Sequence, residues 1–415
     1  MEQRKLAFLT WGALLAGLFI SFFHRFAFGV VASDIGGALE LSGAAVSNLG
    51  AVYFYVYGIM QIPSGILIDK IGPRRISALG MAITGLGSII FGFAGSYFPA
   101  FAGRLLVGLG VSVIFLAVLK VQSGWFPPGD FSRLTGITSA VGNTGAVLAS
   151  APFAIVAMAL GWRGTFLLLG LISWVIALII FRLARFPRPD DGPARNQESM
   201  GSLGRGLLQV LSNPRTWPNF FTISGLMGTS MSLAGVWGVT YLMQVQDWSQ
   251  DRASSLILLV LLGLLVGSPV YGSLASRWGR VKPIINSGAA IALIFWLLVV
   301  FFPGLPGWLW PFLYFGIGFF SIVFFLCFTN VTAVNPSRYS GIATSVINFG
   351  AFIISSLISL LIGYMLDQRW EGELIDGFRL YPVEAYQSAF SIFIIFTLIS
   401  LIASFFIVEK KEEKK

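Results

Sequence analysis

Gly65-Ile-Leu-Ile-Asp69-Lys70-Ile-Gly72-Pro73-Arg74-Arg75 returns 207 residues later, weakened, as Gly272-Ser-Leu-Ala-Ser276-Arg277-Trp-Gly279-Arg280-Val-Lys282. Each copy closes one apolar run and places a basic cluster before the next. A second pair repeats at an offset of 205: Ser132-Arg133-Leu-Thr-Gly136-Ile137-Thr-Ser-Ala-Val141-Gly-Asn143-Thr-Gly145 against Ser337-Arg338-Tyr-Ser-Gly341-Ile342-Ala-Thr-Ser-Val346-Ile-Asn348-Phe-Gly350, with seven of fourteen positions identical. Both offsets are about half of the 415 residues, as a duplicated bundle requires.

What lies around the copies sets the medium. The chain is 56% hydrophobic and 11% charged, with a mean hydropathy of +0.82, which excludes an ordinary soluble protein. Twelve apolar stretches, including 8–31, 43–68, 98–125, 134–158, 162–185 and 341–366, each exceed the roughly 20 residues that cross a bilayer as a helix. The reading is an all-α membrane protein of twelve transmembrane helices in two pseudo-symmetric six-helix bundles, residues 1–185 and 214–415, joined by a Pro-, Ser- and Gly-rich linker at 186–213. Short loops that retain Lys and Arg face the cytoplasm. Placing both termini inside puts Lys70, Arg74, Arg75, Arg133, Arg277 and Arg280 there, and leaves Asp367, Glu371, Glu373, Asp376 and Glu384 in the last outer loop. The expected location is therefore the inner membrane, multi-pass, with cytoplasmic N- and C-termini. The net charge of +9 is a topology signal and gives no reason to propose nucleic acid as a partner. A first span holding His24 and Arg25 and lacking a small-residue cleavage site is not a signal peptide. The lone Cys327 excludes an intrachain disulfide and a cysteine metal cluster.

The stretch from Gly65 to Arg75 resembles the loop between helices 2 and 3 of the major facilitator superfamily, and the Gly272 copy its weaker counterpart between helices 8 and 9, with Ser276 in place of the acid. Arg104-Leu-Leu-Val-Gly108-Leu-Gly110 resembles the helix 4 motif of that family. The resemblance covers essentially the whole chain. It implies a transporter whose parallel repeats enclose a substrate path near the bilayer midplane. In the loop itself, Gly65 and Gly272 are expected to permit close helix approach. Asp69 is expected to accept hydrogen bonds from a helix N-terminus or an arginine and so to gate the cytoplasmic side, with Arg74, Arg75 and Arg277 beside it.

Away from their ends, the apolar spans hold two arginines, one lysine and the only histidine, and no carboxylate. A cation in hydrocarbon costs about 2.5–3.5 kcal/mol, so such residues face a partner or a cavity. Phe22-Phe23-His24-Arg25 resembles the aromatic-x-acid-arginine segment of helix 1 in the organic anion:cation symporter branch, and Lys120-Val-Gln-Ser-Gly-Trp125-Phe126-Pro127 that branch's helix 4 ending, where an arginine precedes the proline by seven residues. The resemblance implies that Arg25 and Lys120 bind the anionic group of a substrate. Two departures matter: His24 stands in place of the acid, and Lys120 in place of the arginine. Histidine titrates near pH 6.5 when unperturbed, so His24 is the candidate proton carrier, while lysine keeps the charge without the bidentate fork. Other readings stand beside these: His24 facing a backbone carbonyl, Lys120 reaching the headgroups, Arg25 paired with an outer acid such as Asp34. Arg25 lies about 25 Å along helix 1 and Lys120 only about 10 Å up from Pro127, so one small anion does not obviously touch both. Arg104, one turn below the outer surface, reads as structural. Tyr57 and Gln61 share a face of helix 2, Asn143 and Asn348 are repeat equivalents on helices 5 and 11, and Trp237 and Tyr241 form an i,i+4 pair on helix 7. All six are candidate substrate contacts alongside plain packing.

No metalloprotease motif, P-loop or nucleophile constellation is present, so neither an enzyme nor a bound cofactor is expected. A multidrug antiporter would be expected to hold buried acids and a Gly-x-x-x-Gly-Pro run on helix 5, and neither is found after Gly142. Export of an anionic metabolite and a non-transporting receptor remain as alternatives. The expectation is a secondary active transporter of a small organic anion, a carboxylate, working as a monomer in the lipid bilayer by alternating access, with a proton or a counter-anion as coupling partner.

Overall fold

A computed structural model describes residues 2–127, 130–184 and 200–409. Its long helices are α1 (Lys5–Val30), α2 (Gly43–Ile59, continuing after a 60° bend as Pro63–Ile71), α3 (Pro73–Gly92), α4 (Tyr97–Trp125) and α5 (Phe131–Leu148). The element Ala151–Leu183 follows, and the second half supplies α7 (Thr216–Gln246), α8 (Gln250–Trp278), α9 (Lys282–Phe301), α10 (Trp310–Val334), α11 (Ser340–Gln368) and α12 (Val383–Phe405). By length and composition ten helices among the described residues can cross a membrane, or eleven with the bent pair as one span.

A break at one glycine is consistent with the expected twelve. Ala151–Leu183 is not a single rod, because Gly161 at φ 68°, ψ 163° leaves the helical region. The rings of Phe153 and Phe166 lie 6.4 Å apart, whereas a straight helix would separate them by about 20 Å. The chain therefore folds back at Gly161: residues 151–160 complete the span begun by α5, and residues 162–183 are α6, running antiparallel to α3. Ser88 Oγ donates to Phe166 O at 2.7 Å and Arg74 Nε to Phe181 O at 2.9 Å along that contact.

Within a bilayer, helices are held by close packing and internal hydrogen bonds, since lipid offers no hydrophobic contrast. α3 and α4 meet on glycines: a Cβ at Gly87 would lie 2.6 Å from Gly103 O, and one at Gly80 2.5 Å from Gly110 O. Aliphatic side chains of α6 and α12, such as Leu171, Val175, Leu178, Ile395 and Ile402, stay exposed as a lipid-facing belt. Of the expected linker 186–213, residues 186–199 lie outside the described residues, and Met200–Ser212 forms a helix.

The end where α1 begins and α12 finishes carries Lys70, Arg74, Arg75, Arg133, Arg277 and Arg280; the opposite end carries Asp34, Asp367, Glu371, Glu373, Asp376 and Glu384. At the acidic end a short helix, Ala32–Ala38, follows α1, and a two-stranded hairpin, β1 (Leu374–Ile375) and β2 (Phe378–Arg379), separates α11 from α12. Asp376 (φ 50°) and Gly377 (φ 78°) form its turn, the Asp-Gly pair that a tight hairpin with two left-handed residues favours.

Candidate functional site

α2 and α11 pack antiparallel along one seam between the bundles. At the acidic end a Cβ on Gly363 would meet Gly43 O at 2.5 Å; midway, Ser356 Oγ donates to Ala51 O at 3.4 Å; furthest in, Asn348 Nδ2 donates to Gln61 Oε1 at 3.3 Å. α1 and α7 form a second seam, where a Cβ on Gly29 would stand 2.7 Å from the carbonyl carbon of Gly235. Gly235 lies in a π-helical turn, Leu233–Trp237, of α7.

Arg25 sits where these seams meet, 5% exposed. Its guanidinium carbon lies 4.4 Å from the centroid of Phe22, 5.1 Å from Tyr57, 5.2 Å from Phe352 and 5.9 Å from Tyr53. Three rings belong to the first half and Phe352 to the second, so both bundles build the cage. Among the described residues no carboxylate lies within ion-pair distance of Arg25, and its Nε has no hydrogen-bond partner. Pairing with Asp34 is thereby ruled out in this conformation; Asp34 instead accepts from Gln250 Nε2 at 3.0 Å. Tyr57 stacks parallel to Tyr53 at 6.2 Å and packs on Phe352 at 4.6 Å. Gln61 is tied at both ends of its amide, donating to Tyr57 O at 3.2 Å and accepting from Asn348.

Lys120 is elsewhere. Its Nζ donates to Asp69 Oδ1 at 2.6 Å, with the two side chains 33% and 64% exposed. This corrects the expectation that no acid pairs the membrane cations: Lys120 has one, because the bend in α2 brings Asp69 beside α4. It also corrects the expected partner of Asp69, which is a lysine of its own bundle in this conformation. Arg74 donates from Nε and Nη2 to the one carbonyl of Phe181 near the end of α6, and Arg75 and Arg277 are exposed. A Cβ at Gly65 or Gly272 would meet nothing within 4 Å, so these glycines mark no close helix approach in this conformation; close approach occurs at the acidic end instead.

Arg104, 1% exposed, donates to Leu49 O at 3.1 Å and His24 O at 3.3 Å, bracing α4 to α2 and α1. The His24 ring is fully buried beside Phe166, and neither nitrogen has a hydrogen-bond partner, so the carbonyl-facing reading fails. Asn143 is half-buried on α5 next to Gly142, which abuts the Phe22 ring. Trp237 and Tyr241 are not brought to Arg25: Trp237 Nε1 donates to Ser47 Oγ across the bundles at 3.0 Å, while Tyr241 OH donates to Val299 O at 3.2 Å inside its own bundle. Sequence reasoning missed Phe352, although it stands four residues after Asn348 and therefore on the same face of α11.

The profile of the Major Facilitator Superfamily matches residues 14–359. The probable sulfoacetate transporter SauU of Cupriavidus necator is 22% identical over 399 residues, 90% of this chain and 91% of that one. The probable L-galactonate transporter of Escherichia coli is 24% identical, covering 84% of this chain and 80% of its own. Among solved structures, a bacterial homolog of the human lysosomal transporter Spinster, in an inward-facing, unoccupied conformation, superposes with a TM-score of 0.77 at 18% identity over 97% and 96% of the two chains, which shows the shared fold.

Proposed function

We infer the activity from two facts together: the chain belongs to the major facilitator superfamily, and Arg25 stands caged in aromatic rings where its two bundles meet. It is a membrane transporter of that family and not an enzyme, and the relatives named above are described as carriers of organic acids. The finer proposal is that the cargo is a small organic anion, a carboxylate, moved by alternating access. Arg25 carries the reading. A buried guanidinium with no acid beside it among the described residues is completed by an anion that comes and goes, and its fork matches a carboxylate.

Tyr57, Gln61 and Asn348 orient the organic body from the two sides of the seam, with Asn143 on the first-half wall. Lys120 meets the anion at the basic mouth, after releasing Asp69. Coupling runs through a proton on His24 or through exchange for a counter-anion. His24 is sealed in this conformation, so it takes its proton in the conformation opened to the acidic end. The protein works as a monomer in the inner membrane with cytoplasmic termini.

A thermal-shift screen of purified protein against organic acids, sugar acids, phosphates, amino acids and neutral sugars tests the cargo. Stabilisation by organic acids, lost in Arg25→Ala, is the expected result; stabilisation by neutral or cationic compounds alone overturns it. For coupling, uptake into proteoliposomes by His24→Gln is expected to lose its response to a pH gradient, and a full response removes His24 as the carrier.

A further inference from the structure

The acidic end is closed by a carboxylate that crosses between the bundles. Asp367, in the last turn of α11, accepts the backbone N–H groups of Gly43 and Ala44, both at 2.8 Å. These are the first two amides of α2, which have no partner inside their own helix. Ser42 Oγ accepts the third, from Ala45 at 3.2 Å. An acid at the C-terminal end of its own helix is poorly placed and at the N-terminal end of another is well placed, so the charge of Asp367 favours contact with the opposite bundle. Arg379 Nη1 at 3.0 Å and Tyr381 OH at 2.8 Å donate to the same Oδ1 from the strap that follows β1.

The strap itself reaches across. Gln244 of α7 holds its base, donating to Arg379 O at 2.9 Å and accepting from Tyr381 N at 3.2 Å. Its tip docks on the first bundle: the Phe378 ring, 3% exposed, lies against Gly36, where any Cβ would collide with it, and Gly37 packs on the Asp376 carbonyl. The notch exists because Gly36 and Gly37 lack side chains.

We propose that Asp367 and the hairpin around Phe378 form a latch on the acidic end, which must release α2 and the short helix Ala32–Ala38 before that end opens. Asp367 supplies the directional contact and Phe378 the apolar plug, while Arg379 and Tyr381 hold the carboxylate in position. The latch sets which conformation the empty protein occupies and does not depend on the identity of the cargo.

The test reads opening directly. Cys327 is the only cysteine, so Cys327→Ala followed by Ser47→Cys places one thiol in the closed seam, where Ser47 is fully buried against Trp237 and Gly363. Maleimide labelling of the purified protein in detergent, without substrate, is then timed. Adding Asp367→Asn is expected to raise the labelling rate at least tenfold, and Phe378→Ala to raise it as well. Glu371→Gln, an exposed acid on the same face, is expected to leave it within twofold. A rate unchanged in both latch variants, or raised equally by Glu371→Gln, overturns the latch. If Asp367→Asn does not yield folded protein, Phe378→Ala and Arg379→Gln decide by the same criterion. Because no ligand is present, the result stands apart from that of the anion screen.

Discussion

Two arginines of nearly equal burial should respond to the same substitution with opposite sign. Arg104 is 1% exposed and Arg25 5%. Arg104→Met strips hydrogen bonds from the carbonyls of Leu49 and His24. Each carbonyl keeps its own intrahelical hydrogen bond, so what is lost is a pair of bonds from a charged donor, about 1.5–3 kcal/mol each. For a bundle of this size each kcal/mol moves the melting temperature by about 2–4 °C, so Arg104→Met should lower it by about 4 °C or more. Arg25 gains from four aromatic faces at 4.4–5.9 Å. Such contacts contribute about 0.5–2 kcal/mol each at best, and not additively. Against them stands the desolvation of an unpaired charge, several kcal/mol, and a buried Nε without a partner. Arg25→Met keeps the stem and removes the charge, so the empty variant should melt at the parent temperature or about 2–4 °C above it. Its ligand response should collapse. Removing one side of a buried charge pair costs about 2–5 kcal/mol, or about thirtyfold and upward in Kd. An anion at about 100 times Kd stabilises the parent by about 2.7 kcal/mol, and the variant then by less than about 1 kcal/mol. Intrinsic-fluorescence melting at one fixed scan rate, with and without the best anion from the screen, checks both halves. A fall of Arg25→Met in parallel with Arg104→Met, or an undiminished shift with anion, would refute the reasoning.

Three further outcomes follow from the geometry. Asp69 and Lys120 are too exposed to hold the fold, so their coupling in a double-mutant cycle should stay below about 1 kcal/mol and fade in high salt. Gly29→Val places carbon 2.7 Å from the Gly235 backbone and should prop the acidic end open, raising Ser47→Cys labelling and abolishing transport; wild-type transport would show that the α1–α7 seam need not close. Asp34, in the short helix at the acidic end, titrates above the ordinary carboxylate range, chiefly through partial desolvation by the surrounding chain although the residue itself is exposed, with the Gln250 hydrogen bond opposing and Asp376 adding repulsion. The closed form therefore binds its proton more tightly than the open form, so this contribution is full below the ordinary carboxylate pKa and is lost as pH rises through the raised value. Labelling at Ser47→Cys should climb across that window, and Asp34→Asn should flatten the climb; an unchanged slope rules Asp34 out.

The repeat at Gly65 and Gly272 carried the architecture because a duplicated bundle must repeat at half its length, and hydropathy carried the spans because a bilayer sets helix length. Arg25 was legible for a related reason: a cation in an apolar run is costly wherever the helix turns. What the sequence did not carry was which end of the two seams is shut. Asp69 was visible as a loop acid, yet its partner depends on a bend in α2 that brings it to Lys120. Asp367 looked like one more charge in an acidic outer loop, since nothing local distinguishes an acid in water from one that caps a helix 324 residues earlier in the chain. The Asp376-Gly377 turn was readable, but its docking needs two glycines on a helix that only tertiary contact places opposite.

The position of Phe352 connects the cation to the gate. The same two helices carry Asp367 against Gly43 at one end of their seam and Asn348 against Gln61 at the other, about 25 Å away. Helices are stiff over that distance, so a swing that parts Asp367 from α2 also moves Phe352 off the Arg25 cage. In the closed arrangement four rings cover the guanidinium; with Phe352 withdrawn, the other three would stay with it and its fourth side would face the acidic mouth. An anion arriving there would take the place of the departing ring, and its charge would complete Arg25 in a way that Phe352 does not. The cation is thus exposed by the motion that admits its partner, and a neutral solute gains nothing at that step. On the proposed anionic cargo, selectivity would then reside in the energetics of opening as much as in the shape of the pocket.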